Sequence, residues 1–141
     1  RTQPPQGQRI MSEKVAAELR TMLRTVVEAG GTGIIANIPG YKVAGKTGTT
    51  KKVGPHGFYK RRYNSIFAGF VPLKNPKLVI VVRINDPQGG PYNYFGGVSA
   101  APIFAKVAST LRPLGLPPTE DHIDQQFFKN QKRFARLVSK A

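Results

Sequence analysis

The sequence is poor in several residue types that carry chemistry. Among its 141 residues there is no cysteine, no tryptophan, only two histidines and only seven acidic residues. The absence of cysteine excludes disulfide bonds, thiolate nucleophiles and cysteine-ligated zinc. His56 and His122 are far apart and no HExxH pattern is present, so we expect no metal site and no cofactor.

Long hydrophobic runs are also missing. The longest run, residues 78–82, is far too short to cross a bilayer, and no signal peptide is present. We therefore expect that any membrane anchor lies outside this chain.

The charge is strongly one-sided. Lysine and arginine number 22 against seven acidic residues, which gives a formal net charge of +15. Such an excess indicates a polyanionic neighbour, namely nucleic acid, an anionic membrane face or an acidic polymer. The alternative is an acidic partner segment that is missing from this chain.

Composition divides the chain into three parts. Residues 1–10 contain proline and glycine without an apolar period and are interpreted as a linker or fragment boundary. Residues 11–116 carry the periodic apolar patterns of a folded portion. Residues 117–141 are a basic tail with interspersed phenylalanines, interpreted as either a short amphipathic helix or a largely disordered segment.

Two helices are predicted near the ends of the folded portion. Ser12 is a suitable N-cap for the first helix, and Gly30 and Gly31 are expected to end it. Ser99 is the predicted cap of the second, with Pro102 in its first turn. Each helix carries an apolar stripe at helical spacing that we expect to be core. The stripes consist of Val15, Leu19, Met22, Leu23, Val26 and Val27 in the first helix, and of Ile103, Phe104, Val107, Ala108 and Leu111 in the second.

Three strands are predicted between the helices, at residues 41–50, 64–71 and 77–84. Residues 51–62, KKVGPHGFYKRR, contain glycine and proline and are interpreted as a basic loop. The third strand is apolar on both faces, which predicts a central strand covered on both sides. Its short connection to the second strand predicts an antiparallel pair. The whole order predicts an α+β fold, an antiparallel sheet with packed helices.

The first strand contains the candidate site, Lys46-Thr47-Gly48-Thr49. The two threonines are separated by one residue, so both hydroxyls face the same way. Gly48 lets another backbone approach closely, and Lys46 supplies a cation. An exposed strand edge of this kind can take an extended peptide as an added strand, and the cation and hydroxyls would then hold its terminal carboxylate. The nearby Gly-Thr-Gly at residues 31–33 is interpreted as a turn, because the lysine of a phosphate-binding loop is missing.

This segment resembles the third motif of the penicillin-recognising serine acyltransferases. Other stretches follow the order and approximate spacing of class B penicillin-binding proteins: VVEAGGTG upstream, then FAGFVP, LVIVVRINDP and YFGGVSAAPIF downstream. The resemblance covers about residues 10–118 and is greatest to the division-specific, septal transpeptidases of Gram-negative bacteria. It implies that residues 11–116 are the C-terminal portion of a transpeptidase domain of the penicillin-binding-protein and serine β-lactamase type.

The resemblance also implies roles for the candidate residues. Lys46 would belong to the polar network of the acylation site, and the backbone N–H of Thr49 would be one of two oxyanion-hole donors. Thr47 and Thr49 would bind the carboxylate of a donor stem peptide or of a β-lactam. The resemblance also places Tyr63, Tyr94 and Phe95 beside the substrate, although ordinary packing is an open alternative for these three aromatic residues. The full implied substrate-binding set is Thr47, Gly48, Thr49, Tyr63, Tyr94, Phe95, Gly96 and Gly97.

Two motifs that the family needs are absent from this sequence. No serine is followed three residues later by lysine, and Ser-x-Asn does not occur. We therefore expect this chain alone to be inactive and a companion chain or segment to carry both motifs. With that companion, the resemblance implies a serine-type peptidoglycan D,D-transpeptidase that cross-links stem peptides through an acyl-enzyme and is inhibited by β-lactams. It further implies the periplasmic face of the bacterial inner membrane, divisome membrane proteins as partners and no nucleic-acid partner.

Two other interpretations stay open at this point. Residues 42–62 hold seven basic residues with Tyr59 between them and Tyr63 next to them, which fits a non-catalytic module for single-stranded nucleic acid or another anionic polymer. No RRM, KH, OB or helix-turn-helix signature accompanies them. The other interpretation is a degenerate homologue that binds β-lactam-like ligands without turnover.

Overall fold

A computed structural model describes residues 7–111 of the chain. The elements in chain order are α1 (Glu13–Thr25), β1 (Ala44–Gly54), β2 (Gly57–Val71), β3 (Leu78–Asn85) and α2 (Gly96–Ala108), with short 3-10 helices at Ile34–Ala36 and Ser109–Leu111. This arrangement confirms the predicted α+β class. The predicted tail at residues 117–141 lies outside the described residues and stays a prediction.

The first helix begins where the sequence predicts. The Ser12 hydroxyl oxygen accepts a hydrogen bond from the Val15 N–H at 3.3 Å, and Glu13 lies in the first turn. A negative charge there is stabilised by the positive end of the helix dipole. The helix ends at Thr25, earlier than the predicted glycine stop, and Arg24 in its last turn donates to the Val43 carbonyl oxygen at 3.1 Å. That hydrogen bond ties α1 to the chain just before β1.

The expectation that the stripe of α1 is core is wrong. No residue of α1 is buried, and the stripe residues Val15, Leu19 and Met22 are 44%, 39% and 62% exposed. Only Val27, which follows the helix, is fully buried. The physical reason is that β1 is the one helix or strand that α1 contacts in the described part of the chain. The helical period predicted the helix correctly but not what would cover it.

The three strands form one antiparallel sheet in the order β1–β2–β3. The predicted antiparallel pairing of the second and third strands is confirmed. The predicted central position of β3 is wrong, because β2 is the middle strand and β3 alternates between half-buried and exposed residues. Val79 and Val81 point away from the core and are 77% and 64% exposed.

Residues 51–62 are not the predicted loop. They continue β1 and β2 into a hairpin whose strands pair Val53 with Phe58 and Gly54 with Gly57. Only two residues connect these strands, and Gly57 has a φ of +109°, which glycine adopts without strain. The glycine and proline that suggested a loop occupy this tight turn.

The second helix packs against one face of the sheet. Phe104 of α2 meets Phe67 of β2 edge to face, with ring centroids 4.8 Å apart, and both side chains are fully buried. The predicted stripe is half right, because Phe104 and Ala108 are buried whereas Ile103 and Val107 are 44% and 48% exposed. The remaining buried face of α2 is made of small residues, namely Gly96, Gly97, Ala100 and Ala101.

The predicted start of α2 is also wrong. The helix begins at Gly96, and Phe95 is in the capping position, four residues before the predicted serine cap. Ser99 therefore lies in the first turn and makes other hydrogen bonds. Among residues 7–111, no helix combines the length and apolar character needed to span a bilayer.

Candidate functional site

The candidate site lies on β1, which has β2 on one side and no strand on the other in the described part of the chain. The register places Thr47 opposite Phe67 and Thr49 opposite Ser65. Since directly paired residues share a face of the sheet, both threonines lie on the face that packs against α2. The expectation that the two hydroxyls point the same way is therefore met by the register.

The Thr47 hydroxyl is held by a residue from the turn after α1. Its oxygen lies 2.9 Å from that of Thr32, in a hydrogen bond for which either hydroxyl can be the donor. Thr47 is half-buried and Thr32 is exposed. Residues 31–33 are predicted only as a turn, and nothing in the local sequence pattern indicates this contact.

The Thr49 hydroxyl meets the beginning of α2. Its oxygen accepts a hydrogen bond from the Gly96 N–H at 3.2 Å, which is one of the N–H groups that a helix leaves unpaired at its start. Thr49 is exposed, so an incoming ligand can reach the hydroxyl. The positive end of the α2 dipole and an exposed hydroxyl together favour an anionic group such as a carboxylate.

Two glycines, Gly96 and Gly97, allow the beginning of α2 to approach the sheet and the turn after α1 closely. A Cβ on Gly96 would overlap the Ile66 carbonyl oxygen and lie 2.6 Å from the Gly48 carbonyl oxygen. A Cβ on Gly97 would overlap the Thr32 carbonyl oxygen. Gly96 and Gly97 are buried. In this structure they therefore bring the helix N-terminus to the threonines rather than line an open surface.

Lys46 lies on the opposite face of β1 from the two threonines. Its ammonium donates a hydrogen bond to the Thr47 carbonyl oxygen at 2.9 Å, and the side chain is exposed. The cation thus sits along the strand beside the threonines, not between their hydroxyls. Its position leaves it accessible to groups that approach this edge of the sheet.

The predicted aromatic residues do come together beside the threonines. The rings of Tyr63 and Tyr94 stack at a centroid distance of 4.6 Å, and the rings of Tyr94 and Phe95 lie 4.3 Å apart. Tyr63 pairs with Lys51 across the sheet, two residues beyond Thr49 on the same face. The three rings form a continuous wall that ends at the beginning of α2.

Two serines outside the predicted site, Ser65 and Ser99, join this wall to the sheet. Ser65 is fully buried, and its hydroxyl donates to the Tyr94 carbonyl oxygen at 2.9 Å. The Ser99 hydroxyl lies 2.7 Å from the Ser65 hydroxyl oxygen and donates to it. This serine pair links the middle strand to the segment that carries Tyr94, Phe95 and Gly96.

Comparison with known proteins identifies the family. Residues 1–109 match the family model described as the penicillin binding protein transpeptidase domain. The chain is 40% identical over 116 residues to the peptidoglycan D,D-transpeptidase FtsI of Escherichia coli, and the alignment covers 82% of this chain and 19% of the relative. It is 41% identical over 117 residues to the probable peptidoglycan D,D-transpeptidase PbpC of Pseudomonas aeruginosa, in an alignment that covers 81% of this chain and 20% of the relative.

Solved structures agree with this match. The apo transpeptidase domain of penicillin-binding protein 3 from Burkholderia pseudomallei superposes with a TM-score of 0.72 at 43% identity, over 82% of this chain and 35% of that one. Penicillin-binding protein 3 of Mycobacterium tuberculosis, complexed with ampicillin, superposes with a TM-score of 0.69 at 31% identity. This match covers 85% of the present chain and 29% of that one. The chain thus spans about a fifth of the length of the curated relatives, which are 19% and 20% covered. These matches confirm the resemblance to class B, division-specific relatives, and the chain belongs to the penicillin-binding-protein transpeptidase domain family.

Proposed function

We propose that this chain provides the carboxylate-binding strand of a peptidoglycan D,D-transpeptidase, and that it acts with a polypeptide segment bearing Ser-x-x-Lys and Ser-x-Asn. The observation that carries the proposal is the arrangement of Thr47 and Thr49 on an edge strand, with the N-terminus of α2 against the second hydroxyl. The same chemistry holds the carboxylate of a β-lactam. Family membership favours this function over a nucleic-acid module or a degenerate homologue.

The reaction divides into two acyl transfers. The serine of the companion segment attacks the carbonyl carbon of the penultimate D-alanine, and the bond from that carbon to the nitrogen of the terminal D-alanine breaks. That nitrogen takes up a proton and leaves as free D-alanine. The amine of a second stem peptide then attacks the ester, releases the serine oxygen with its proton and completes the cross-link.

The residues of this chain position the donor peptide for the first step. Thr47 and Thr49 hold its terminal carboxylate, and the Thr49 N–H donates to the oxyanion that forms on the attacked carbonyl. Lys46 contributes positive charge to the acylation site. The stacked rings of Tyr63 and Tyr94 and the tilted ring of Phe95 border the substrate side chains on the same side. Together these groups position the scissile carbonyl against the serine that the companion segment supplies.

The proposed setting follows from the substrate. Peptidoglycan stem peptides are assembled into the wall outside the inner membrane, so the proposed site of action is its periplasmic face, beside the membrane proteins of the division machinery. In this proposal, the membrane anchor and the contacts with these partners belong to polypeptide other than residues 7–111.

The test is acylation by a fluorescent penicillin in a hybrid domain. This hybrid domain joins the present chain to the preceding part of the Burkholderia pseudomallei transpeptidase domain, which replaces the missing motifs. We expect labelling of the hybrid domain and none of this chain alone. Thr49→Val keeps the β-branched shape but removes a hydrogen bond to a charged group, which is worth about 1.5 to 3 kcal/mol, so the acylation rate constant should fall about 10- to 150-fold.

Thr50→Val is the matched control. Thr50 is also exposed and lies on the same strand, but it pairs with Asn64 on the opposite face. Its substitution should leave labelling unchanged. If the Thr49→Val, Thr50→Val and unsubstituted hybrid domains are labelled equally, the Thr49 hydroxyl does not bind the carboxylate.

A further inference from the structure

The hairpin formed by residues 51–62, which we call the basic hairpin, is the strongest feature that the proposed function does not use. The pairing of β2 with β3 stops at Asn64 and Asn85, whereas the pairing of β2 with β1 continues to Gly57 and Gly54. The basic hairpin therefore extends past β3 as a two-stranded arm. Residues 55–62 are all exposed.

The charge of the basic hairpin is of one sign. It contains three lysines and two arginines and no acidic residue. Arg62 is held by an ion pair to Asp86 at 2.6 Å and lies over the Tyr59 ring at 5.1 Å. The other four cations form no ion pair among residues 7–111, and they are Lys51, Lys52, Lys60 and Arg61. Four unpaired like charges on one narrow arm repel each other unless an anion lies among them.

The basic hairpin is continuous with the carboxylate site. Lys51 follows Thr49 by two residues on the same face of β1, and it pairs with Tyr63 of the aromatic wall. At roughly 3.3 Å per residue, Lys51 begins about 7 Å beyond Thr49 along the strand. A chain that is bound at the threonines and carries further acidic groups thus meets Lys51, the first cation of the basic hairpin, without any bend in the sheet.

The tip of the basic hairpin is apolar. Val53 and Phe58 pair across the two strands and are 73% and 71% exposed. A cross-strand apolar pair flanked by cations matches a peptide that alternates short alkyl side chains with carboxylates. Sequence-independent binding of single-stranded nucleic acid uses successive aromatic platforms. Tyr59 is already engaged by Arg62, which leaves Phe58 and the small imidazole of His56 as the exposed rings of the arm.

We infer that the basic hairpin is a docking arm for the acidic stem peptides of un-cross-linked peptidoglycan strands, which it captures next to the site where one of those peptides reacts. The inference rests on the proposed function for its choice of polymer. Its cations attract stem-peptide carboxylates by exposed charge–charge contacts, and Val53 and Phe58 cover the alkyl groups between them. Such contacts raise the local concentration of substrate strands and weaken as salt increases.

The test measures binding of soluble, un-cross-linked glycan strands to the complete 141-residue chain. Binding needs no nucleophilic serine, so this measurement is independent of acylation. In the hairpin variant, Lys51, Lys52, Lys60 and Arg61 are each replaced by glutamine. The control variant has the same loss of charge at four exposed lysines elsewhere, namely Lys14, Lys74, Lys77 and Lys106. Circular dichroism establishes that both variants keep the fold of the unsubstituted chain.

We expect the hairpin variant to lose roughly 10-fold or more in affinity at low salt, since four charge contacts at exposed or half-buried side chains are removed, and the control variant to lose much less. Glycan strands whose carboxyl groups have been amidated should bind the unsubstituted chain as weakly as native glycan strands bind the hairpin variant. Any of three results would overturn the inference. They are an equal loss of affinity in the two variants, an affinity that amidation does not change, and tighter binding of a single-stranded oligonucleotide than of the glycan strands. In the hybrid domain the hairpin substitutions should leave penicillin acylation unchanged, so failure of the arm and failure of the carboxylate site are told apart.

Discussion

The serine pair under the aromatic wall gives the sharpest prediction about how the site is held together. Ser65 is fully buried, donates to the Tyr94 carbonyl oxygen at 2.9 Å and accepts from Ser99 at 2.7 Å. The Ser65→Ala substitution removes both hydrogen bonds without adding volume. At a net value of about 1 kcal/mol for each, the free energy of unfolding of the hybrid domain should fall by about 2 kcal/mol.

The same substitution should also impair acylation. The Tyr94 carbonyl loses its anchor on β2, and Phe95 and Gly96 follow directly in the chain. A shift there moves the Gly96 N–H away from the Thr49 hydroxyl, which it now meets at 3.2 Å. Misplacement of a positioning group by about 1 Å can cost on the order of 100-fold in rate, so we expect a loss of about 10-fold or more in the acylation rate constant.

The assay combines urea unfolding with stopped-flow acylation of the hybrid domain. Ser99→Ala should show a smaller loss of the same kind, and the double variant should lose less than the sum, because the two hydroxyls bond to each other. Ser109→Ala is the matched control, since within residues 7–111 its hydroxyl bonds only to the Lys106 carbonyl oxygen at the other end of α2. If Ser65→Ala lowers stability but acylation stays at the unsubstituted rate, the serine pair is structural only and the positioning argument is refuted.

Two further predictions concern the close approach of α2 and the cation of the strand. Gly96→Ala should destabilise the hybrid domain by about 1 to 3 kcal/mol, because its Cβ would overlap the Ile66 carbonyl oxygen, whereas Gly7→Ala, with no atom within 4 Å of its Cβ, should change nothing in thermal unfolding. Lys46→Ala should slow penicillin acylation more than Thr49→Val does, since the site loses its cation; a smaller effect in the same labelling assay would place Lys46 outside the acylation network.

Several local features could be predicted because they depend on residues that are neighbours in the chain. The capping of α1 by Ser12 needs only a serine three residues before the N–H that it accepts. The shared face of Thr47 and Thr49 follows from the period of two in any strand. The antiparallel pairing of β2 and β3 follows from a connection too short for a crossover. The motif order around Lys46 likewise indicated the family before any contact was known.

Other features could not be predicted because neighbouring residues do not determine them. The apolar stripe of α1 predicted a helix, but its exposure depends on which segments lie against it. The apolar run of β3 suggested a covered strand, yet its place at the side of β2 leaves Val79 and Val81 exposed. Glycine and proline in residues 51–62 indicated a loop, whereas the pairing of Val53 with Phe58 makes them a hairpin with a two-residue turn.

The amino-acid order specifies which chemical groups are available: two hydroxyls and a cation within four residues of one strand, a surplus of basic side chains, and no nucleophilic serine motif. The orientation of those groups depends on contacts between distant parts of the chain. The contacts of Thr47 with Thr32, of Ser65 with Ser99 and of Thr49 with Gly96 join residues 15, 34 and 47 positions apart. Periodicity encodes which face a side chain takes, but hydrogen bonds over such separations exist only after the turn that follows α1 and the helix α2 have packed against the sheet.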